Sequence, residues 1–274
     1  MITFHRGGAP GSKAPSFAYA KPRTLAEAFQ LLARHGEGAR ILAGGQSLIP
    51  TLNMRLSSPE ILVDITGVPG LDAIQVSGKT VRVGALVTHA ELGKSAEIRK
   101  HVPLMAQAVP HIAHAAIRNR GTLGGSLALA DPAAEYPACA VALQAVFTIA
   151  SSRGERKVKA DDFFQGLFET DLKPGEILTA VEFPAGGRSA FLELTRRHGD
   201  YAIIGLAAHE SRCVFFNAGP KPVLVNMRKS LAETKAAVAK ELDPPADLYN
   251  SPATKKHLAG VLLERAWNML STSH

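Results

Sequence analysis

The spacing of apolar side chains changes several times along the chain, and each change predicts a new element. Leu25 to Ala33 place apolar residues on one helix face, and Thr24 with Glu27 is a capping-box pattern at its start. Further helices are predicted at 47–54, through most of 88–116, and from Pro132 to Leu143. Short apolar or alternating runs predict strands at 17–20, 39–42, 60–64, 73–76, 81–83, 146–150, 156–160 and 177–183.

The pattern changes after Pro184. Alternating runs at 190–195, 202–209 and 213–217 predict an antiparallel sheet, and helical patterns follow at 230–241 and 254–270. We therefore predict two domains, 1–184 and 185–274, with a boundary near Pro184–Gly187. The first would divide into subdomains at about 16–69 and 70–184. Residues 1–16, rich in Gly, Pro and Ser, are predicted to form a loose arm.

Two short segments with adjacent glycines interrupt this pattern. Ala43–Leu48 (AGGQSL) and Thr122–Ser126 (TLGGS) each follow a strand-like run and lead toward a helical one. A Gly-Gly pair permits positive φ and lets a ligand approach without meeting a Cβ atom. Successive N–H groups in such a turn can converge on an anion. Either loop alone is compatible with an ordinary turn, but the two together could hold both phosphates of one dinucleotide.

Other phosphate and nucleophile motifs do not fit. No Gly-x-Gly-x-x-Gly occurs, so a Rossmann site is unsupported. Gly124–Ala128 superficially resembles a nucleophile elbow, but no parallel α/β frame is predicted around it. His111 and His114 have the i, i+3 spacing of a helical metal pair without a third ligand, which favours structural histidines.

Charged residues beside the second loop leave alternatives open. Asp131 follows the loop and precedes a helical pattern, so it is either a cap or an acceptor for sugar hydroxyls. Arg118 and Arg120 flank the loop on its other side. They either offset phosphate charge or are simply exposed.

Composition narrows the functional class. The net charge of +7 comes from scattered Lys and Arg that do not interleave with the few aromatic residues, which disfavours a nucleic-acid site. Cys139 and Cys213 lie in apolar runs and predict buried free thiols of a reducing compartment. Two cysteines cannot hold an iron–sulfur cluster, which usually takes four thiolates. With no signal peptide and no membrane-length apolar run, we expect a cytoplasmic protein.

The chain resembles the FAD-binding (medium) subunit of molybdenum hydroxylases, the group that includes the carbon monoxide dehydrogenase flavoprotein and the xanthine dehydrogenase FAD domain. The order of AGGQSL followed by TLGGS and DPAAE is highly specific for that group. The matching stretches are Phe17–Phe29, Ile41–Arg55, Ile61–Ile65, Val81–Leu92, Ile117–Pro137, Gly175–Pro184 and Arg196–Ala207.

The resemblance implies an α+β fold: a two-subdomain FAD-binding fold of the vanillyl-alcohol-oxidase/PCMH type, then a C-terminal α+β domain with an antiparallel sheet. Both glycine loops would contact the FAD pyrophosphate, Asp131 the sugar or ribityl hydroxyls, and Leu178 and Tyr201 the flavin region. The cofactor-binding residues implied are Leu42, Ala43, Gly44, Gly45, Gln46, Ser47, Leu48, Ala85, Ile117, Thr122, Gly124, Gly125, Ser126, Asp131, Leu178 and Tyr201.

The resemblance also implies a function. The chain would be the electron-transfer subunit of a molybdenum hydroxylase, fed by an iron–sulfur small subunit with two [2Fe–2S] clusters and a molybdenum-cofactor large subunit. The acceptor would be NAD, a quinone or O₂, and this chain would itself hold no metal. Two other hypotheses stay open: a stand-alone FAD-dependent reductase or oxidase, and a non-enzymatic nucleotide-binding assembly module.

Overall fold

A computed structural model describes residues 13–272, so most of the predicted N-terminal arm lies outside the described residues. The strands are β1 (Ala18–Ala20), β2 (Ala39–Leu42), β3 (Ile61–Asp64), β4 (Ile74–Ser77), β5 (Thr80–Gly84), β6 (Val146–Ser151), β7 (Gly154–Lys159), β8 (Phe164–Gly166), β9 (Glu169–Thr170), β10 (Ile177–Pro184), β11 (Ser189–Leu194), β12 (Ile204–His209), β13 (Arg212–Phe216) and β14 (Val223–Asn226). The α-helices are α1 (Leu25–His35), α2 (Leu48–Asn53), α3 (His89–Lys94), α4 (Ala96–His101), α5 (Pro103–Ala108), α6 (Ala115–Arg118), α7 (Leu123–Leu129), α8 (Glu135–Ala142), α9 (Ala160–Phe163), α10 (Leu231–Glu241) and α11 (Pro252–Thr272). Short 3-10 helices occupy Gly36–Gly38, Ile65–Gly67 and Val109–His111.

The first sheet is small and parallel, with the order β1-β3-β2. Its central strand, β3, is buried along its whole length, and Ala28, Leu31 and Leu32 of α1 belong to the same core. The helix begins at the predicted cap, where the Thr24 hydroxyl accepts the N–H of Glu27 at 3.1 Å. At its carboxyl end, β2 leads directly into the first glycine pair.

The second sheet has the order β4-β5-β10-β6-β7, with every neighbouring pair antiparallel. The hairpin predicted around Gly78 is confirmed, because β4 and β5 pair from Ile74–Val83 to Ser77–Thr80. Helices α3, α4, α5, α7 and α8 share one apolar core with this sheet, which includes large side chains such as Tyr136, Phe147 and Phe163. Helix α7, which carries the second glycine pair, packs against β10.

The third sheet, β11-β12-β13-β14, is antiparallel as predicted. Helix α11 packs against β11 and β12, and α10 packs against α11 and β14. Helix α8, from the N-terminal part of the chain, packs on β12 and β13. The helices and antiparallel sheets confirm the α+β class. The domain limits at 184/185 stay a prediction, because the two parts share apolar core around α8.

Three local predictions were wrong. Pro132 does not begin a helix: Asp131 Oδ1 accepts the N–H of Ala133 at 2.9 Å, and this turn delays α8 until Glu135. His111 and His114 do not share a helix, because the 3-10 segment ends at His111 and His114 precedes α6. The short strands β8, β9 and β14 were missed, since brief irregular pairs leave little periodicity.

Gly260 offers a test of the fold that is independent of any ligand. It lies inside the 21-residue helix α11, where an added Cβ would meet nothing within 4 Å. We expect Gly260→Ala to raise the free energy of unfolding by about 0.5–1 kcal/mol, because glycine is the more costly residue inside a helix. Urea unfolding measures this, and a loss of stability would contradict the placement of this helix face.

Candidate functional site

One cavity of about 670 Å³ brings most of the predicted site residues together. Segments from both glycine loops, β10 and the loop after β11 line it. Fifteen of the sixteen predicted residues are part of the lining: Ala43, Gly44, Gly45, Gln46, Ser47, Leu48, Ala85, Ile117, Thr122, Gly124, Gly125, Ser126, Asp131, Leu178 and Tyr201. Leu42 is not in the lining; its side chain lies behind Gly45. This volume falls in the range of small-molecule and cofactor sites, about 300–1,000 Å³.

The first glycine loop leaves its backbone donors free. It joins β2 to α2, and Gly45 takes the positive φ of +73° that glycine tolerates best. The N–H groups of Gly44, Gly45, Gln46 and Ser47 donate to no other group in residues 13–272. The Gln46 amide turns back onto the carbonyl of Gly44 at 3.1 Å. Consecutive unused N–H groups beside a cavity form an anion site.

The second glycine loop is different, because the N–H groups of Leu123 to Ser126 are used within the protein. Leu123 donates to Val87 O at 2.9 Å and Gly124 to Ala85 O at 2.8 Å. Gly125 donates to the Thr122 hydroxyl, the N-cap of α7, at 3.1 Å. The exposed, Cβ-free face of Gly125 and the Ser126 side chain therefore face the cavity in this loop, and its glycine N–H groups are already bonded.

Gly44 and Gly124 each pack tightly on a neighbouring segment. A Cβ on Gly44 would lie 2.2 Å from Arg120 O, and a Cβ on Gly124 would lie 2.5 Å from Ala85 Cβ and 2.8 Å from Ala85 O. A Cβ on Gly125 would meet only the Thr122 hydroxyl closely, with Ala43 Cβ at 4.0 Å. Gly44 thus lets the first loop approach the segment that precedes the second, and Gly125 leaves open space beside the first loop.

Asp131 and Tyr201 meet in another part of the cavity lining. Asp131 lies in the turn before α8, whereas Tyr201 comes from the loop between β11 and β12. Tyr201 is 72% exposed, and its hydroxyl group lies near Asp131. Partial burial raises the pKa of Tyr201, and the adjacent Asp131 carboxylate raises it further.

Two ionisable residues of the lining were missed by sequence reasoning. Burial raises the pKa of Glu135 to about 8, and the charge of Glu193 adds to this, so Glu135 carries a proton at neutral pH. Burial lowers the pKa of His89 to about 4, and its Nδ1 has no hydrogen-bond partner among residues 13–272. Glu135 belongs to the quoted DPAAE segment, but only the packing around α8 reveals that it is partly buried.

The structure shows what each of the two arginines beside the second loop contacts. Arg118 Nη1 donates to the carbonyls of Ile112 and Ala113 at 2.8 Å each, so it supports the cavity wall. Arg120 is exposed, and its backbone carbonyl packs against Gly44. Within residues 13–272 no group of three His, Cys, Asp or Glu side chains could hold a metal ion. Cys139 and Cys213 are buried and free, as predicted.

Comparison with known proteins decides the family. Residues 15–186 match the family model described as the FAD binding domain in molybdopterin dehydrogenase. The chain belongs to this family. It is therefore the FAD-binding component of an oxidoreductase, and the resemblance inferred from its motifs is confirmed.

Individual relatives agree with this assignment. The chain is 47% identical over 199 residues to the 6-hydroxypseudooxynicotine dehydrogenase complex subunit alpha of Paenarthrobacter nicotinovorans, covering 72% of this chain and 67% of the relative. It is 34% identical to the carbon monoxide dehydrogenase medium chain of Hydrogenophaga pseudoflava, covering 93% of this chain and 96% of that one.

Solved structures extend the match to almost the whole chain. Reconstituted CO dehydrogenase from Oligotropha carboxidovorans superposes with a TM-score of 0.90 at 31% identity, covering 95% of this chain and 99% of that chain. Quinoline 2-oxidoreductase from Pseudomonas putida 86 gives a TM-score of 0.88 at 36% identity, with 94% and 98% covered. No helix in the described part of this FAD-binding protein is long and apolar enough to cross a membrane.

Proposed function

We propose that this chain holds FAD in the described cavity and serves as the electron-transfer subunit of a molybdenum hydroxylase. It would take electrons from the [2Fe–2S] clusters of a small partner subunit, supplied in turn by a large subunit with the molybdenum cofactor. It would pass them to an external acceptor such as NAD, a quinone or O₂. The observation that carries the proposal is the joining of both glycine loops in one cavity of cofactor size.

The phosphate end of the cavity fits a dinucleotide. Free N–H groups of the first loop supply donors to a pyrophosphate, and the bare face of Gly125 leaves room for it. Thr122 and Ser126 add hydroxyl groups beside that space. These residues would hold the anionic part of FAD without a lysine or a metal ion.

The opposite end fits an aromatic ring system with a few polar edges. Leu178 and Ile177 of β10 provide apolar wall, while Asp131, Glu135 and Tyr201 provide polar groups. The bound cofactor supplies the two-electron chemistry, and the protein binds and orients it and sets its electrostatic surroundings. Because Glu135 is protonated at neutral pH, this end presents a neutral acid there instead of a second carboxylate.

Electrons must enter and leave through other molecules in this proposal. Both cysteines are buried, and residues 13–272 offer no metal-binding group of three ligands. Two of the relatives are themselves named as medium chain or complex subunit, which describes a protein that works in an assembly. By analogy, the clusters and the molybdenum cofactor would be carried by partners of this chain.

Purification from cells and reconstitution with FAD test the proposal. We expect the chain to carry a flavin absorbance spectrum, to co-purify with an iron–sulfur subunit when both are expressed, and to turn over substrate only with its partners. A chain without flavin that cannot be reconstituted would support the assembly-module hypothesis. Turnover of a substrate by the isolated flavoprotein would support the stand-alone reductase or oxidase.

A further inference from the structure

A close contact between two side chains joins two segments that line the cavity near Tyr201. His111 Nδ1 lies 3.2 Å from Glu193 Oε1. His111 immediately precedes Ile112–His114, and Glu193 lies near the end of β11, just before the loop that carries Gly199–Tyr201. Both of these segments line the cavity. The pair therefore connects two cavity-lining segments, Ile112–His114 and Gly199–Tyr201, that are far apart in sequence.

Glu193 has little else to hold it in place. Its side chain is only 3% exposed, and its second oxygen, Oε2, has no hydrogen-bond partner among residues 13–272. A buried carboxylate with one unpaired oxygen is costly unless it is strongly paired elsewhere. The contact with His111 is thus the principal compensation for burying this charge.

Further contacts surround the junction, which is the place where residues 111–114 meet β11 and the loop that follows it. The N–H of Phe191 donates to the Gln107 side chain at 3.0 Å, and the rings of Phe191 and His111 lie 5.1 Å apart. A Cβ on Gly199 would lie 2.8 Å from Ala113 O, so the loop rests directly on the opposite wall. These contacts leave the His111–Glu193 pair as the charged link of the junction.

The far end of the loop is fixed separately. Ile203 donates to Leu194 O at 2.7 Å, and the Asn217 amide donates to Ala202 O at 2.7 Å. The loop, residues 195–202, is therefore anchored at its base and rests on the opposite wall at Gly199. Tyr201 projects from this loop with most of its side chain exposed.

We propose that His111 and Glu193 are positioning residues that hold loop 195–202, with Tyr201, closed over one end of the cavity and so slow the release of bound FAD. This inference rests on the proposed function for its ligand. The effect on the loop itself does not need the ligand and can be measured in the FAD-free chain.

The pair has a definite pH dependence. Its contact with Glu193 raises the pKa of His111 above the ordinary value of 6.5, against the opposing effect of burial. A raised histidine pKa means that the ionic contact is fully present below 6.5 and is lost as pH rises through the folded-state value. The other groups facing His111 are Glu135 of α8, whose pKa is about 8, and His198 of the loop, 6.3 Å away between ring centroids.

Hydrogen–deuterium exchange of the full-length, FAD-free chain tests the loop directly. We expect exchange of residues 195–202 to be about tenfold faster in Glu193→Gln than in the wild type, as for loss of one charged hydrogen bond. In His111→Gln the protection of the loop, which is its exchange rate relative to the intrinsic rate of an unstructured amide at the same pH, should no longer change with pH. His101→Gln is the matched control, because His101 also contacts a glutamate, at 3.3 Å, but that partner, Glu97, lies on the same helix α4 and not next to the loop.

FAD release is the second measurement, followed by the recovery of free-flavin fluorescence after dilution. We expect FAD release from the wild type to accelerate with rising pH. At low pH, release from Glu193→Gln should be about tenfold faster than release from the wild type. Glu135→Gln should keep the pH response, whereas His111→Gln should lose it. A response that persists in His111→Gln and disappears in Glu135→Gln would assign it to Glu135 and overturn the inference.

The outcomes separate the two proposals. If the wild type binds no FAD, the proposed function fails, and loop exchange still decides whether the pair positions the loop. Suppose that the wild type binds FAD, but that loop exchange and FAD release are the same in the wild type and in His111→Gln at every pH. The inference about the loop then fails, and the proposed function is unaffected. Should Glu193→Gln not fold, the His111→Gln profiles decide, because that side chain is 35% exposed and tolerates replacement.

Discussion

Gly125→Val is expected to weaken FAD binding strongly, by up to roughly 100-fold, while leaving the fold intact. The residue is exposed at the cavity, and a side chain there would occupy the space between the two glycine loops. Overpacking of this kind costs about 1–3 kcal/mol, and the affinity for FAD should therefore fall by up to roughly 100-fold. Titration of the apoprotein with FAD, followed by flavin fluorescence, measures the loss.

A graded series makes this result interpretable. Gly125→Ala adds one methyl group and should weaken FAD binding less than Gly125→Val does. Gly260→Ala, on the remote helix α11, should leave FAD affinity unchanged. A Gly125→Val protein that binds FAD like the wild type would show that this loop does not border the pyrophosphate.

Gly44→Ala is expected to destabilise the protein itself. Its Cβ would lie 2.2 Å from Arg120 O and 2.8 Å from Gly121 Cα, and both are backbone atoms that cannot rotate away. We expect a loss of about 1–3 kcal/mol in the free energy of unfolding, as for overpacked cores. FAD affinity should fall as well, because the two loops can no longer approach each other.

Urea unfolding of the FAD-free protein isolates the stability effect, since a bound ligand would add its own stabilisation. Gly45→Ala is the control within the same loop: the new Cβ would meet only the flexible side chains of Ile49 and Leu42, at 3.2 and 3.3 Å. The free energy of unfolding of Gly45→Ala should therefore fall mainly because a non-glycine residue must adopt a positive φ, which costs about 1 kcal/mol. If Gly44→Ala unfolded like the wild type, the close packing of the two loops would be wrong.

Local sequence signals predicted most of the elements. Strand β2 was predicted with its observed bounds, and the start of α1 followed from Thr24 and Glu27. Such features depend on neighbours within a few residues, so periodicity and capping chemistry suffice. The start of α8 was predicted three residues early because a side chain, Asp131, satisfies the local N–H group and a turn replaces the helix.

The sequence by itself determined the family and the pair of glycine loops, because these are carried by short, ordered motifs of residue types. Only the tertiary structure decided what each glycine does: Gly44 and Gly124 pack on neighbouring backbone, while Gly125 leaves open space beside Ala43. It also decided that the glycine N–H groups are free in the first loop and bonded in the second. The reason is physical, since the partners of these groups, like the partners of Glu135 and Glu193, come from segments distant in sequence, whose contacts arise only on folding.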